Sequence, residues 1–161
     1  YTARTYVEVL DEIRSSVPNA SITADVIAGF PGETESEFEE TFAMCDRVGF
    51  ADMHVFPFSA RPGTTAAYLD GRVRSDVKAG RVQALLSLAK RNATEFRKRF
   101  LGQPLPVLWE DARRQGDTAV WSGLTDNYIR VAAQSSRDLG NQITMARLSR
   151  QEKDVVYARV L

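Results

Sequence analysis

The hydrophobic pattern of this chain changes near Gly102, and this change limits the possible folds more than any other feature. Before Gly102, apolar residues repeat at helical spacing in three segments, with two β-branched apolar segments between them. After it, short β-rich segments follow one another, separated by turn residues. The pattern predicts two domains, an α/β domain over 1–101 and an all-β domain over 102–161.

The α/β half is predicted to run helix, strand, helix, strand, helix. Helical spacing predicts helices over 3–16 and 75–100, and a capping box at Thr34 marks the start of the middle helix. Strands are predicted over 21–28, as a parallel strand covered on both faces, and over 52–58. Two parallel strands neither close a barrel nor form a stable sheet alone. We therefore expect the C-terminal part of a larger, incomplete (β/α) barrel.

The second half has the strand spacing of a small barrel. Five short strands in about 60 residues predict an OB-like β-barrel, an architecture that nucleic-acid-binding modules often use. The predicted strands are 104–110, 118–122, 127–132, 142–148 and 155–161.

Charge is distributed unevenly along a chain whose formal net charge is zero. Residues 1–70 hold 4 basic and 12 acidic side chains, whereas residues 71–161 hold 17 and 9. Most of the positive excess lies in 71–102, with 9 basic and 2 acidic residues. Such a cluster favours contact with a polyanion such as RNA, although many long helices simply have a solvated charged face.

The single cysteine, Cys45, excludes an internal disulfide framework and any Cys-rich metal site built from this chain alone. It shares an apolar helical stripe with Phe38, Phe42 and Val48, which indicates a small buried side chain. No apolar run approaches the ~20 residues that a membrane span requires. We expect a soluble cytoplasmic protein that has no membrane partner.

Ligand-binding candidates lie where the two predicted strands end. GFPGET at 29–34 is a strand-to-helix turn in which glycines allow close approach and a helix N-terminus offers N–H donors, but an ordinary βα turn has the same pattern. Arg61 lies in the Pro/Gly-containing loop after the second predicted strand. Its guanidinium could bind a carboxylate or phosphate through two hydrogen bonds. The alternative interpretation is an exposed loop arginine without a ligand. His54, the only histidine, is interpreted as a core or rim residue rather than a catalyst.

Three stretches together resemble one family, the radical-SAM methylthiotransferases. They are TADVIAGFPGET (23–34), HVFPFSARPGT (54–64) and GLTDNYIRV (123–131). They occur in the family's order, the second is followed by the family's long basic helix, and the third lies in a β-rich tail that resembles its TRAM domain. The resemblance spans nearly the whole chain.

The resemblance implies cofactors that this chain cannot hold in full. Full-length members use S-adenosylmethionine and two 4Fe-4S clusters, one of them bound by a CxxxCxxC loop. This chain has no such loop. The cluster cysteines are therefore expected outside it, and the chain alone is expected to contain no catalytic or metal-binding residues and to be inactive.

The resemblance also implies a partner and two sets of site residues. The sequence TDNYIRV at 125–131 is most similar to that of enzymes that methylthiolate C2 of N6-threonylcarbamoyladenosine in tRNA, next to the anticodon. Sister enzymes act on isopentenyladenosine or on a ribosomal-protein aspartate. The S-adenosylmethionine pocket is expected to include Gly29, Pro31, Gly32, Glu33, Phe56, Ser59 and Arg61, with Asp25 and His54 as further candidates. The anticodon arm is expected to contact Arg97, Lys98, Arg99, Asn127, Tyr128 and Arg130.

Two functions of other classes are left open by the residues. One is a self-contained RNA-binding module in which the α/β part is only a structural appendage. The other is a small metabolic α/β enzyme that binds a phosphate at the glycine turn, a reading that does not explain the β-rich tail.

Overall fold

A computed structural model describes residues 2–115 and 118–161 of the chain. The chain divides into two compact units, Tyr1–Ala93 and Thr94–Leu161. The long helix begins in the first unit and ends in the second.

The first unit has the predicted order of helices and strands. Its elements are α1 (Ala3–Ser16), β1 (Thr23–Ala28), α2 (Glu35–Val48), β2 (Asp52–Pro57), a 3₁₀ turn (Thr65–Tyr68) and α3 (Ser75–Lys98). The predicted first helix is confirmed to the residue, and the predicted long helix ends two residues earlier than expected. The 3₁₀ turn was not predicted, because its sequence has no apolar period.

Helix α2 begins as its sequence requires. Thr34 accepts a hydrogen bond from the backbone N–H of Glu37, whose carboxylate accepts from the Thr34 N–H at 2.8 Å, so the predicted capping box is formed. The backbone N–H and then the hydroxyl of Thr34 lower the pKa of Glu37. The apolar stripe of α2 enters a core that also contains Leu10, Met53 and Leu85.

Strands β1 and β2 pair in parallel, in register from Thr23 with Asp52 to Ala28 with Pro57. One face of this pair packs on the core. The other face, which carries Ile27 and Phe56, is exposed. The expectation that the first strand is covered on both faces is therefore wrong among the described residues, which leave Ile27 55% and Phe56 50% exposed.

The second unit contains the predicted five-stranded barrel, which is closed. Its strands are β3 (Pro104–Gln115), β4 (Thr118–Thr125), β5 (Arg130–Ser135), β6 (Ile143–Glu152) and β7 (Val155–Val160). They close in the order β3-β4-β5-β7-β6, with β5 and β7 parallel and the other pairs antiparallel. Its interior is filled by alternate side chains, of which Val107, Trp109 and Val131 are completely buried.

Among residues 2–115 and 118–161, no helix combines the length and apolar character needed to cross a membrane.

Candidate cofactor rim and RNA-binding turn

The carboxyl ends of β1 and β2 open into one pocket of about 340 Å³, here called the rim pocket. Of the seven residues predicted to bind the cofactor, the rim pocket is lined by Gly29, Pro31 and Ser59. Its other lining residues come from the following loop and from the start of α3, and include Arg72 and Lys78. Ligands commonly bind at this end of parallel strands.

Gly29 allows helix α3 to approach the end of β1. Its φ is +76°, and a β-carbon at this position would lie 2.6 Å from the side-chain carbons of Lys78. The Lys78 ammonium donates to the carbonyl of Phe58 at 3.0 Å, just beyond the end of β2. The glycine predicted as a ligand contact thus also permits a lysine to join the two strand ends.

Glu33 is held by protein groups on both sides. Its carboxylate accepts from the Gly29 N–H at 2.7 Å and pairs with Arg81 at 2.7 Å. Arg81 also pairs with Glu35 at 2.9 Å and donates to the Glu33 carbonyl. Glu33 therefore closes the turn onto α3, whereas its predicted contact with the cofactor stays a prediction.

Arg81 is the site residue that the sequence reasoning missed. Its side chain is only 6% exposed, and hydrogen bonds to Glu35 and then Glu33 raise the pKa of its guanidinium. A signal was present, because Arg81 lies four residues before Leu85 and therefore on the apolar face of α3. It was counted with the solvated charges of the basic helix.

The remaining predicted cofactor residues are not part of the rim pocket's lining. Phe56 is on the exposed sheet face, where the neighbouring pair Asp25 and His54 is also exposed. Gly32 is exposed, and its N–H donates to the carbonyl of Gly71 at 2.8 Å. Arg61 lies in an exposed turn, where its carbonyl accepts from the Thr64 hydroxyl at 2.8 Å. Their cofactor contacts stay predictions.

Much of the positive charge of the basic helix is paired within the chain. Arg74 pairs with Asp76, Arg91 with Asp46, Arg97 with Asp154 and Lys98 with Glu95. These ion pairs reduce the positive charge that the predicted RNA-binding cluster offers, and two of the acidic partners, Asp46 and Asp154, come from outside the helix.

The three consecutive basic residues at 97–99, which are predicted to contact RNA, differ in exposure. Arg97 is 14% exposed and bonded to Asp154 at 3.0 Å, whereas Lys98 and Arg99 are exposed. The Arg99 guanidinium lies over the rings of Phe96 and Phe100, at 5.6 and 5.7 Å. Lys98, which pairs with Glu95 at 2.7 Å, and Arg99 are consequently the members of this set whose side chains are open to solvent.

The turn between β4 and β5, residues 125–130, is here called the tyrosine turn. The Thr125 hydroxyl donates to Asn127 Oδ1 at 2.6 Å, and the Ile129 N–H donates back to that hydroxyl at 2.9 Å. Asn127 is 6% exposed. We expected an amide offered to RNA, but the structure places it inside the turn, because Thr125 supplies a buried partner.

Tyr128 is the side chain that the tyrosine turn presents to solvent. It is 78% exposed and has a φ of +63°, a left-handed conformation that costs a tyrosine about 1 kcal/mol. Its N–H donates to the Thr125 carbonyl at 3.0 Å, which fixes the backbone in this conformation. An exposed ring on a strained, hydrogen-bonded turn, followed by the exposed Arg130, is suited to stacking on a base.

Known proteins similar to this chain support one family. It is 34% identical over 149 residues to the threonylcarbamoyladenosine tRNA methylthiotransferase MtaB of Bacillus subtilis, and 38% identical over 149 residues to a tRNA-2-methylthio-N(6)-dimethylallyladenosine synthase of Syntrophotalea carbinolica. Each match includes 92% of this chain. This chain belongs to the radical-SAM methylthiotransferase family. The MtaB protein of Thermotoga maritima is also similar, at 38% identity over 81% of the chain.

The methylthiotransferase relatives are much longer than this chain. It spans 33% of the Bacillus subtilis protein and 34% of the Syntrophotalea carbinolica protein. No protein-family model matches it. A match of 149 residues includes both units, so the methylthiotransferase similarity covers the rim pocket and the barrel alike.

Proposed function

We propose that this chain is the C-terminal portion of an enzyme that adds a methylthio group to C2 of N6-threonylcarbamoyladenosine in tRNA, next to the anticodon. The observation that carries this proposal is the similarity to MtaB of Bacillus subtilis along 92% of the chain. A self-contained RNA-binding module would not require the α/β unit to share that similarity. We propose a domain division at 101/102 and a cytoplasmic location for the enzyme.

The choice of nucleoside rests on the tyrosine turn. Relatives named for threonylcarbamoyladenosine and for dimethylallyladenosine have comparable identities to this chain, so overall similarity favours neither. The sequence TDNYIRV at 125–131 resembles the threonylcarbamoyladenosine enzymes, and this resemblance supports our proposal. Action on dimethylallyladenosine is the second candidate, because a relative of that type matches equally widely.

S-adenosylmethionine is the cofactor we propose for the rim pocket. A pocket of about 340 Å³ is within the size range of small-molecule sites, and Gly29, Pro31 and Ser59 bring backbone groups to its wall. Lys78 would orient the Phe58 carbonyl, and Glu33 with Arg81 would hold the turn in place. When bound, the cofactor supplies the methyl group and the radical precursor.

The iron–sulfur clusters do not fit this chain's own residues. Clusters are held by several cysteine thiolates, and the only cysteine in the sequence is Cys45. It is buried in the core of the first unit, where burial raises the pKa of the thiol and so disfavours the thiolate ligand. We propose that the clusters take their cysteines from outside this chain.

For tRNA, we propose that Tyr128 stacks on a base and that Lys98, Arg99 and Arg130 contact phosphates. Replacing Tyr128 with alanine is expected to weaken binding of an anticodon-arm RNA hairpin by about tenfold, because one base stack contributes roughly 1–3 kcal/mol. Alanine retains a β-carbon and hence the strain of the positive φ, so the change isolates the ring. Fluorescence anisotropy with labelled RNA gives the Kd.

Two further variants make this test specific. Tyr128→Phe keeps the ring and should bind within about twofold of the wild type. Tyr68→Ala removes an equally exposed tyrosine from the first unit and should leave the Kd unchanged. If Tyr128→Ala binds as tightly as Tyr128→Phe, the tyrosine turn is not the RNA contact.

A further inference from the structure

A second pocket of the barrel, about 510 Å³ in volume, lies at the opposite end of β4 from the tyrosine turn. Its lining includes Arg114, Trp121, Ser135, Arg137 and Asp138. We call it the barrel-end pocket. At about 3.4 Å per residue, the length of β4 separates it from the tyrosine turn by roughly 20 Å.

Trp121, which lines this pocket, has an indole N–H without a hydrogen-bond acceptor among the described residues. Its side chain is 8% exposed, and its indole Nε1 is buried with no acceptor among residues 2–115 and 118–161. The other tryptophan has the arrangement that buried indoles normally show, since Trp109 Nε1 donates to the Thr144 hydroxyl at 2.8 Å. A buried donor without an acceptor is costly, which suggests that a group from outside the chain completes it.

The charged groups of the barrel-end pocket favour an anion. Within the described part of the chain, the guanidiniums of Arg114 and Arg137 form no ion pair or side-chain hydrogen bond. The carboxylate of Asp138 already accepts from the Gly140 N–H at 3.0 Å, and the Ser135 hydroxyl accepts from the Arg137 N–H at 3.0 Å. Among the described lining residues, two arginines without an ion pair therefore accompany one carboxylate, which is held by the backbone.

We propose that the barrel-end pocket binds a phosphate of the tRNA backbone. The guanidinium groups of Arg114 and Arg137 match phosphate oxygens in charge and geometry, and a phosphate oxygen is an acceptor for the Trp121 N–H. Naming tRNA as the source of the phosphate rests on the proposed function. Together with the tyrosine turn, this site would hold an RNA at both ends of β4.

The two indole N–H resonances of the ¹⁵N-labelled 161-residue chain test the site directly. Inorganic phosphate and an unmodified anticodon-arm RNA hairpin are titrated separately. We expect both to move the Trp121 resonance and to leave that of Trp109, which already has an acceptor, in place. A Trp121 resonance that neither probe moves overturns the site. A response to phosphate but not to RNA overturns tRNA as its source.

Substitution of the arginines measures their contribution. Arg114→Gln and Arg137→Gln are each expected to weaken RNA binding about tenfold and to lower the slope of log K against log salt by about one. Arg159→Gln removes an exposed arginine of β7 and is the matched control. Equal Kd values for Arg137→Gln and Arg159→Gln contradict the proposal.

Trp121→Phe separates the N–H from the ring. Phenylalanine keeps an aromatic ring but fills less volume than the indole, so the variant loses the donor and some packing. We expect weaker RNA binding by a barrel that circular dichroism shows to be folded. Wild-type RNA affinity in this variant contradicts a role for the N–H. If the RNA binds but Trp121 does not respond, this inference fails and the proposed function stands; if RNA does not bind at all, the proposed function fails first.

Discussion

Replacing Gly123 with alanine is expected to destabilise the barrel by about 3 kcal/mol. A β-carbon at position 123 would lie 2.3 Å from the carbonyl oxygen of Leu108 and 3.0 Å from the Cα of Trp109. Both atoms belong to the backbone of β3, which is paired with β4 at this point and has an irregularity between Trp109 and Asp111. Neither strand can move away without breaking the pair.

The effect of Gly123→Ala is measured by urea unfolding followed through tryptophan fluorescence. Both tryptophans, Trp109 and Trp121, are barrel residues, so the signal reports this unit. Gly80→Ala is the matched control, because Gly80 is in α3 and a β-carbon there meets nothing within 4 Å. Because Gly80 belongs to the first unit, the control should leave the urea midpoint reported by tryptophan at its wild-type value, although alanine raises helix propensity there by about 0.5–1 kcal/mol. A wild-type urea midpoint for Gly123→Ala would contradict this account of the barrel.

Replacing Arg81 with methionine is expected to cost the first unit about 3 kcal/mol, because it leaves the nearly buried carboxylate of Glu33 without its cation. Methionine keeps most of the apolar stem, which limits the change to charge and hydrogen bonding. The loss should be seen as a lower urea midpoint of the helical circular-dichroism signal, since helices α1 and α2 belong to this unit.

Arg91→Met is the control for Arg81→Met. Arg91 also lies on α3 and pairs with Asp46, but its side chain is 55% exposed and that of Asp46 is 49% exposed. An exposed pair of this kind contributes about 0–1 kcal/mol. Equal midpoints for the two variants would mean that Arg81 has no special role in holding the turn at 29–33.

Elements that depend on neighbouring residues could be predicted from the sequence. The first helix follows from apolar spacing within 3–16, and the start of α2 follows from Thr34 and Glu37, three residues apart. The five barrel strands were also predicted, since each is bounded by its own turn residues, but the third begins at Arg130 rather than at 127 because residues 125–129 form a hydrogen-bonded turn. Their order could not be, because the parallel pairing of β5 with β7 joins segments that have no local signal in common.

Contacts between side chains that are distant in the sequence were the main feature that could not be predicted. Arg81 and Glu33 are 48 residues apart, so the pattern of α3 showed a cation on the apolar face but not the carboxylate that neutralises it. The same limit applies to Arg97, whose partner Asp154 is 57 residues away. Counting charge along a segment therefore overestimated the positive surface available to RNA.

At the tyrosine turn, the residue types predicted a turn but not which of its side chains is exposed. A Thr-Asp-Asn-Tyr sequence indicates a turn with an amide and an aromatic ring. Which of them faces solvent depends on the hydroxyl of Thr125, which draws Asn127 inward and leaves Tyr128 exposed at positive φ. The turn therefore offers fewer side chains to RNA than predicted, because Asn127 is buried and Tyr128 is exposed.

The modified-nucleoside content of tRNA from cells that lack the gene for this protein tests the proposed function most directly. Mass spectrometry of digested tRNA should show that 2-methylthio-N6-threonylcarbamoyladenosine is lost and that N6-threonylcarbamoyladenosine accumulates, with the methylthio form of isopentenyladenosine unchanged. Reintroducing the gene should restore the lost nucleoside. Persistence of the methylthio group on threonylcarbamoyladenosine would contradict the proposal, and its loss from isopentenyladenosine instead would assign the second candidate function.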